Sequence, residues 1–351
     1  MFKKLKIKSF KSVTDVEINL KNLNLFLGTN SSGKSSILQA LLVLAQSDKL
    51  HYNHKLTSAP NSVLNGEYIN LGDFKEIQSK TSEGNIYISI TNEVPTAIEK
   101  TELSISLDDV SYTSPNYFFN KVKYISANRI GAEDVYPNSF LDEQYFKPDG
   151  RYLFSFLQRN KKLVLDASFV KNKVSTTLLV ELNYWLKEIL NTELEIEAIE
   201  KTDLVKITYD VRGNKISNRP KNLGTGTSFI ISILIMCLAS QEGDVIIIEN
   251  PELHLHPKAQ SALTEFLIHI ASHNRQLFIE THSDHVFNAI RVAIAQDEHS
   301  QQLFGVNFVE LDSEFKTVNH EIKIQGKGDV INPQDGLFDQ FDNDLLRMLG
   351  L

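Results

Sequence analysis

The sequence has 351 residues, of which 42% are hydrophobic and 23% are charged, the balance of a folded globular protein with a large core. Its formal net charge of −8 argues against broad binding of nucleic-acid phosphates by the chain alone, because such binding needs clustered lysine and arginine. The longest near-apolar run, residues 229–239, is shorter than the roughly 20 residues of a membrane-spanning helix, and the lysine-rich N-terminus lacks an apolar signal core. We therefore expect a cytoplasmic protein without a membrane partner.

The first part of the chain has the patterns of strands around one helix. Alternating and continuous apolar runs predict strands over residues 3–9, 16–20 and 23–27, followed by a helix over 36–46. Residues 48–80 are polar and rich in turn-forming types. Further strands are predicted at 85–91, 101–107 and 122–126, and together they suit an antiparallel flank.

The middle of the chain changes to aromatic-rich loops and amphipathic helix, clearest over residues 176–190. We interpret residues 132–214 as an inserted, mainly helical subdomain between an N-terminal lobe, 1–131, and a C-terminal lobe, 215–351. In the C-terminal lobe helices and strands alternate, which predicts a parallel sheet. Its predicted helices cover 227–239, 257–272, 284–295 and 339–349, and its predicted strands cover 245–248, 277–279, 303–311 and 318–324. The single cysteine, Cys237, is expected to pack as a small hydrophobe.

Residues 28–35 read Gly-Thr-Asn-Ser-Ser-Gly-Lys-Ser and match the phosphate-loop pattern between an apolar strand and a helix. Backbone N–H groups of such a loop wrap phosphates, and the helix N-terminus favours their negative charge. Lys34 is expected to reach the outer phosphates, and Ser35 is expected to ligate Mg²⁺. The ATP-binding residues predicted here are Gly28, Asn30, Ser31, Ser32, Gly33, Lys34, Ser35 and Ser36.

A second apolar strand, residues 245–248, runs into Glu249-Asn250-Pro251-Glu252-Leu253-His254-Leu255-His256-Pro257. Carboxylates at the end of a parallel strand lie where such a sheet presents its ligand-binding edge. A phosphate loop combined with an acidic strand end indicates a nucleoside triphosphatase.

These motifs resemble the ABC-class AAA ATPases of the OLD, RecF and SMC group, whose Walker B strand runs into D-E-P-E-x-x-L-H-P. Residues 64–77, 124–131 and 335–340 are similar to segments of compact, stand-alone bacterial OLD-like ATPases without a TOPRIM nuclease domain. The resemblance implies an α/β P-loop NTPase fold of ABC-ATPase type. It consists of a mixed-sheet core, an antiparallel β flank and the inserted subdomain.

Two more segments support the resemblance. Residues 222–228, Asn-Leu-Gly-Thr-Gly-Thr-Ser, resemble the ABC signature, and residues 280–283, Glu-Thr-His-Ser, resemble the switch-histidine loop. In this family the signature of one subunit caps the γ-phosphate held by its partner, which implies ATP-gated dimerisation. The residues expected to act across the dimer are Gly224, Gly226 and Ser228.

Two residues near the N-terminus, Lys11 and Ser12, resemble the F-K-S element of the family. On that resemblance Lys11 is expected to reach the phosphates. As an ordinary pair at the end of a strand, the two would have no such role, and both alternatives remain open at this stage.

The sequence departs from the family at its catalytic carboxylate. Pro251 fixes the register, so the family's Mg²⁺-directing Asp falls on Glu249 and its catalytic Glu falls on Asn250. A carboxamide can orient water but cannot accept its proton. Glu252 and Glu280 are the alternative bases, and we prefer Glu280, which shares a strand face with the switch residue His282. Glu280 could instead bind Mg²⁺-bound waters or a basic neighbour.

Two other site types are weighed against this interpretation. The histidines at 254, 256, 282 and 285 lack the cysteine or H-E-x-x-H context of a metal site, so Mg²⁺ is the only metal expected. Asp342-Asn343-Asp344 resembles the D-x-D of a TOPRIM nuclease, but no strand with a preceding glutamate frames it, and a helix start is the better interpretation.

Three functional hypotheses follow. In the first, ATP closes a homodimer or higher oligomer, and closure controls a separate effector, a nuclease or toxin, in phage defence. The second is a RecF-like clamp that grips DNA during repair, against which the net acidity weighs. The third, a transporter ATPase subunit, is disfavoured because the motifs of residues 249–257 and 280–283 point to the soluble OLD side.

Overall fold

The computed structural model describes residues 1–82, 84–94, 97–139, 146–211, 213 and 217–349. The strands are β1 (Phe2–Phe10), β2 (Val13–Asn19), β3 (Leu23–Leu27), β4 (Ile86–Val94), β5 (Ala97–Ile105), β6 (Val110–Thr113), β7 (Val122–Ile125), β8 (Val135–Pro137), β9 (Thr192–Ala198), β10 (Leu204–Val211), β11 (Ser217–Asn218), β12 (Val245–Glu249), β13 (Gln276–Glu280), β14 (Phe304–Leu311), β15 (Thr317–Ile322), β16 (Ile324–Gln325) and β17 (Asp329–Val330). The α-helices are α1 (Lys34–Tyr52), α2 (Asn61–Leu64), α3 (Phe74–Ile77), α4 (Leu153–Asn160), α5 (Leu178–Leu190), α6 (Thr225–Leu238), α7 (Pro257–Ser272), α8 (Asp284–Gln296) and α9 (Gln340–Met348). Short 3-10 turns cover Phe119–Lys121, Pro220–Asn222 and Glu298–Leu303.

The central sheet has six strands in the order β15-β14-β3-β13-β12-β7. Five of them are parallel and β15 is antiparallel to β14. The mixed α/β core predicted from the sequence is therefore confirmed. Because β13 lies between β3 and β12, the strand that ends at Glu280 is the neighbour of the strand that leads into the phosphate loop.

An antiparallel sheet, β2-β1-β4-β5-β6, forms the predicted flank. The expectation for residues 122–126 was wrong in one respect, since β7 pairs in parallel with β12 at the edge of the central sheet. Its four residues are all buried. They follow a chain reversal at Phe119–Lys121 that carries the chain from the flank to the central sheet.

Residues 132–214 contain the helix expected near 176–190, which is α5, and also α4. They contain strands that the sequence analysis did not predict. Strand β10 pairs antiparallel with β8, β9 and β11, so a small sheet accompanies the two helices. The buried ring of Trp185 in α5 meets Phe266 of α7 with centroids 5.0 Å apart, so the apolar core of this segment is continuous with that of the C-terminal lobe.

The apolar core lies on both faces of the central sheet, since side chains alternate along each strand. Leu25 and Ile279 face α6, α7 and the inserted segment. Phe26 and Phe278 face α1 and the antiparallel flank. Cys237 is fully buried in α6, as expected, and burial raises the pKa of its thiol. Residues 342–344 lie within α9, which agrees with a helix and not with a nuclease strand.

Candidate nucleotide-binding site

The phosphate loop packs tightly against the hairpin formed by β14 and β15. Gly28 has a φ of 136°, and a Cβ atom built there would lie 1.9 Å from the carbonyl oxygen of Val309. Gly33 has a φ of 106°, and its Cβ would lie 2.3 Å from Oγ1 of Thr317. Both positions therefore require glycine for conformation and for space. The loop delivers the chain to Lys34, the first residue of α1.

Lys34 has the position expected of a phosphate-binding lysine. Its side chain is 2% exposed, and Nζ donates hydrogen bonds to the carbonyl oxygens of Gly28 at 3.0 Å and Thr29 at 2.7 Å. Burial lowers the pKa of Lys34, and the Glu280 carboxylate opposes that effect. The ammonium is thus held inside the curve of the loop, where phosphate oxygens can replace the carbonyl partners.

Ser35 and Glu280 are brought together across the sheet edge. The Ser35 hydroxyl donates a hydrogen bond of 2.7 Å to Oε1 of Glu280. Glu280 is 4% exposed; burial raises the pKa of its carboxyl group, while the Ser35 hydrogen bond acts in the opposite direction. This contact exists because β13 pairs directly with β3.

Glu249 is occupied by a different set of partners. Its carboxylate accepts a hydrogen bond of 2.8 Å from the hydroxyl of Tyr124 and one of 3.0 Å from the backbone N–H of Ala127. Burial, followed by the charge of Glu249, raises the pKa of Tyr124, so its hydroxyl remains a donor. Glu249 thereby holds the loop that follows β7.

The chain after Glu249 is held by Arg129. This side chain is 5% exposed, and Nη2 donates to the carbonyl oxygens of Glu249 at 3.0 Å and Asn250 at 2.5 Å. Burial lowers the pKa of Arg129 to about 10, so the group is charged at neutral pH. Its guanidinium lies 5.4 Å from the ring of Phe229 in α6, and Arg129 therefore connects the Walker B end to the signature helix.

Asn250 and His282 follow the strand ends that carry Glu249 and Glu280. Asn250 has a φ of 43°, a conformation that asparagine tolerates better than most residues, and its buried Oδ1 has no hydrogen-bond partner within the described chain. The backbone N–H of His282 donates to Oε1 of Glu252 at 2.8 Å. Burial lowers the pKa of His282 below its usual 6.5, so the imidazole is neutral at pH 7.

Lys34, Ser35, Asn250, Glu280 and His282 line one cavity of about 380 Å³. Most of the predicted ATP-binding residues line it, whereas Gly28 lies at the base of the loop and Lys11 turns to Gln39, to whose Oε1 its amine donates at 2.5 Å. The described lining comprises Ser12, Asn30, Ser31, Ser32, Gly33, Lys34, Ser35, Ser36, Asn250, Glu280 and His282. Within that lining, Glu280 is the sole carboxylate. It is therefore the carboxylate of the lining that could accept a proton from an attacking water.

The signature segment differs in detail from the expectation. Gly226 is buried, and a Cβ there would lie 2.4 Å from the carbonyl oxygen of His254. Ser228 is 1% exposed and lies beside the hydroxyl of Tyr136 at 3.4 Å. Its expected contact with a partner's nucleotide stays a prediction, and in this structure the side chain is buried within its own chain. Asn222, Gly224 and Thr225 are exposed, and the last two lie at the start of α6.

The histidines after Walker B have structural contacts. The ring of His254 lies 5.2 Å from that of Phe229. Nδ1 of His256 accepts a hydrogen bond of 3.3 Å from the backbone N–H of Lys258 and so caps α7. Within the described ranges, no group of three His, Cys, Asp or Glu side chains has the arrangement of a metal site.

Four residues of the site carried no signal that the sequence analysis used. Tyr124 and Arg129 lie in the segment singled out only by resemblance, and Thr225 lies inside the signature without having been selected. The Thr317 hydroxyl donates to the carbonyl oxygen of Ser32 at 3.1 Å and lies 2.8 Å from the hydroxyl oxygen of Ser12, and so it ties the β1–β2 turn to the phosphate loop. The positions of these four residues in the site depend on tertiary contacts between segments that are distant in the sequence.

A family model described as "AAA domain, putative AbiEii toxin, Type IV TA system" matches residues 23–288, more than half of the chain. The chain belongs to this AAA family. The matched region of the AAA domain runs from β3 to the middle of α8 and thus includes the phosphate loop, the signature, Walker B and the switch histidine. A comparison with curated protein sequences gave no match.

The AAA domain is also similar in fold to solved SMC heads. An SMC head domain from Thermotoga maritima has 11% identity and a TM-score of 0.52, covering 92% of this chain and 99% of the other. An SMC head bound to the C-terminal winged-helix domain of ScpA has 13% identity and a TM-score of 0.54, covering 92% and 98%. The Pyrococcus furiosus SMC head, with an extended coiled coil and bound to the C-terminal domain of ScpA, has 10% identity and a TM-score of 0.58, covering 100% and 99%. The predicted ABC-class AAA ATPase fold is confirmed.

Among the residues that the structure describes, no helix is long and apolar enough to cross a membrane.

Proposed function

We propose that this chain binds ATP with Mg²⁺ in the cavity above the phosphate loop and that bound ATP closes two copies of the chain. The observation that carries the proposal is the convergence of Lys34, Ser35 and Glu280 on one cavity at the N-terminus of α1. A buried cation, a hydroxyl paired with a carboxylate and the N–H groups of a helix start are the groups that recognise phosphates and their metal.

Ser35 and Glu280 would hold Mg²⁺, directly or through its waters, since oxygen ligands and retained waters are what this ion prefers. When bound, the ion would supply positive charge beside the outer phosphates. The family register had assigned this role to Glu249, but that carboxylate already accepts hydrogen bonds from Tyr124 and Ala127. The contacts favour Glu280 as the metal-side carboxylate and Glu249 as a residue that positions the loop after β7.

Hydrolysis in this arrangement is slow. Asn250 lines the cavity, and its buried Oδ1 has no partner within the described chain. Its carboxamide could orient water, but an amide cannot take the proton of that water. Glu252 holds the backbone of His282 and lies outside the described lining. Glu280 must therefore serve the metal and the proton together, and the protein spends most of its cycle with ATP bound.

The start of α6 is the surface that we assign to the second copy. Gly224 precedes the helix and Thr225 is its first residue, and both are exposed. The first turn of a 14-residue helix presents N–H groups that favour a phosphate. Thr225, with its exposed hydroxyl, takes the place that the sequence analysis gave to Ser228.

The biological role that fits these parts is a cytoplasmic nucleotide switch that controls a separate effector, a nuclease or toxin, in phage defence. The description of the matching family names a toxin of a toxin–antitoxin system, which supports that context. Two of the similar SMC head structures have the C-terminal domain of ScpA bound, an example of this fold in contact with a separate protein. Helix α5 of the inserted segment packs against α7, and this segment is the region through which closure would reach the effector.

Light scattering and phosphate release with and without ATP and Mg²⁺ test the proposal. The wild type should change from monomer to dimer with ATP and release phosphate slowly. Lys34→Ala should do neither, and Lys327→Ala, which removes an exposed lysine from a distant turn, should match the wild type. A monomer at saturating ATP, with nucleotide binding intact, would contradict dimer closure.

A further inference from the structure

The loop between α4 and α5, residues 161–177, is held rigidly although it projects into solvent. Its chain reversal is built on Glu181 of α5, whose carboxylate is fully buried. Glu181 accepts from the backbone N–H groups of Lys171 at 3.0 Å and Asn172 at 3.1 Å, and from Nδ2 of Asn172 at 2.6 Å and Nε1 of Trp185 at 2.8 Å. A loop ordered by four hydrogen bonds to a buried carboxylate loses little further entropy when it binds a partner.

Three of the side chains that this loop exposes are large and aliphatic. Val174 is 88% exposed, Val164 is 70% exposed and Leu163 is 41% exposed. Leu163 and Val164 belong to one strand of a short antiparallel pairing between Val164 and Thr177, and Val174 lies in the bend that precedes Thr177. Single exposed valines are ordinary on protein surfaces, but this loop exposes three large aliphatic side chains that a partner could contact.

The same loop is basic in an acidic protein. Between residues 161 and 174 there are four lysines, at 161, 162, 171 and 173, and one acidic residue, Asp166. Lys162, Lys171 and Lys173 are exposed, and within the described chain their amines form no ion pair. The carboxylate of Asp166 forms hydrogen bonds within its own loop, because Oδ1 accepts from the backbone N–H and from the hydroxyl of Ser168.

The loop is fastened to the helix that follows Walker B. Phe169 is buried, its carbonyl oxygen accepts a hydrogen bond of 2.7 Å from Nε2 of His269, and the carbonyl oxygen of Ser168 accepts one of 3.0 Å from Nε2 of His273. The guanidinium of Arg275 lies 4.4 Å from the Phe169 ring. His269 and His273 are at the C-terminal end of α7, whose N-terminal end follows the Walker B segment. One helix therefore connects the nucleotide edge to this loop.

We infer that residues 161–174 form the docking surface for an acidic segment of a separate protein, whose apolar side chains cover Val164 and Val174. The inference rests on the proposed function, because it names the surface by which the switch engages its effector. Charge complementarity selects an acidic partner. The exposed valines favour a protein over a nucleic acid, because phosphates gain nothing from apolar contacts. The backbone of the loop is ordered before the partner arrives.

A displayed peptide library, selected on the full-length protein with ATP and Mg²⁺, tests this inference. The selected peptides are then measured by fluorescence polarisation against the wild type, Val174→Glu, the double variant Lys171→Glu with Lys173→Glu, and Val292→Glu. Val292 is the matched control, since it is 52% exposed on α8. A labelled DNA duplex is measured in parallel. Thermal unfolding and ATP-dependent light scattering of every variant report whether fold and switch are intact.

The surface predicts peptides that combine Asp or Glu with Leu, Ile or Phe and whose binding weakens with salt. Affinity should fall about tenfold or more in Val174→Glu and in the double lysine variant, a loss typical of an interface hot spot. It should be unchanged in Val292→Glu. Peptides without acidic residues, or equal binding to all variants, would overturn the inference. So would DNA binding that depends on the two lysines and is indifferent to Val174. Failure of the proposed switch looks different, because the wild type itself would then show no ATP-dependent dimer.

Discussion

The hydroxyl of Ser35 donates a hydrogen bond of 2.7 Å to Oε1 of Glu280. Ser35 is the second residue of the helix after the phosphate loop, and Glu280 is the last residue of β13, the strand next to β3. The pair places the only carboxylate of the described cavity lining against the predicted Mg²⁺ ligand. The predictions on the metal and on turnover depend on this contact.

Glu280→Gln should weaken the use of Mg²⁺ as well as turnover. If Glu280 serves the metal, raising Mg²⁺ should partly restore phosphate release, whereas loss of a pure general base costs about 10² to 10⁴ in rate at every Mg²⁺ concentration. Steady-state phosphate release across a Mg²⁺ titration is the measurement. Glu249→Gln is the control and should respond less to Mg²⁺. A rescue seen only with Glu249→Gln would restore the roles first expected from the sequence.

Gly226→Ala should destabilise the protein, while Gly224→Ala should not. A Cβ at Gly226 would lie 2.4 Å from the carbonyl oxygen of His254, but nothing lies within 4 Å of one at Gly224. Overpacking of this kind costs about 1 to 3 kcal/mol, against about 0.5 kcal/mol or less for an open surface position. Denaturant unfolding of both variants gives the difference. Equal free energies of unfolding would contradict the packing of the signature segment against Walker B.

Thr225→Arg should block dimer closure without affecting ATP binding by the monomer. The long cation would fill the space at the start of α6 that a partner's nucleotide needs. Light scattering with ATP, together with calorimetry of the monomer, separates the two effects. Thr57→Arg, at another exposed threonine, is the control. If Thr225→Arg still dimerised with ATP, the start of α6 would not be the contact surface.

The loop at residues 166–172 should lose protection as the pH falls below neutrality. Burial lowers the pKa of His269 from 6.5 to about 4, so its contribution to stability is complete above pH 6.5 and is lost as the pH falls from 6.5 towards 4. Hydrogen exchange at pH 7 and pH 5, corrected for intrinsic rates, should show this loss. His269→Gln retains an N–H donor for Phe169 and should be less sensitive to pH. An identical pH response in both proteins would rule out His269 as the cause.

Local patterns predicted the elements that carry the motifs. The helix expected over 257–272 has those bounds. Its start could be predicted because proline, here Pro257, is favoured at the first position of a helix. The strand expected over 23–27 is also found, because a run buried on both faces of a sheet is continuously apolar. Phosphate loop, Walker B and switch histidine could therefore be placed in order along the chain.

What the sequence could not provide is the order of strands in space. The contact between Ser35 and Glu280 needs β13 beside β3, and the pairing of β7 with β12 removes residues 122–126 from the expected flank. Neither strand pairing can be predicted from a local sequence pattern. The burial of Ser228 was equally hidden, since α6 is apolar on nearly every side and its sequence favours no single buried face.

One missed feature did have a signal. Residues 192–198 alternate glutamates with Leu194 and Ile196, and the two apolar side chains are buried while the glutamates are exposed. That is the period of a half-buried strand, and the prediction of a mainly helical subdomain made no use of it. The same alternation continues in β10.

Isothermal titration calorimetry of ATP in the presence of Mg²⁺, with the wild type and Lys34→Ala, tests the central claim most directly. Lys34 is the buried cation inside the phosphate loop. The account predicts saturable binding to the wild type that depends on Mg²⁺ and is absent from Lys34→Ala, while thermal unfolding shows both proteins to be folded. ATP binding of equal affinity to both would contradict the assignment of this cavity as the nucleotide site.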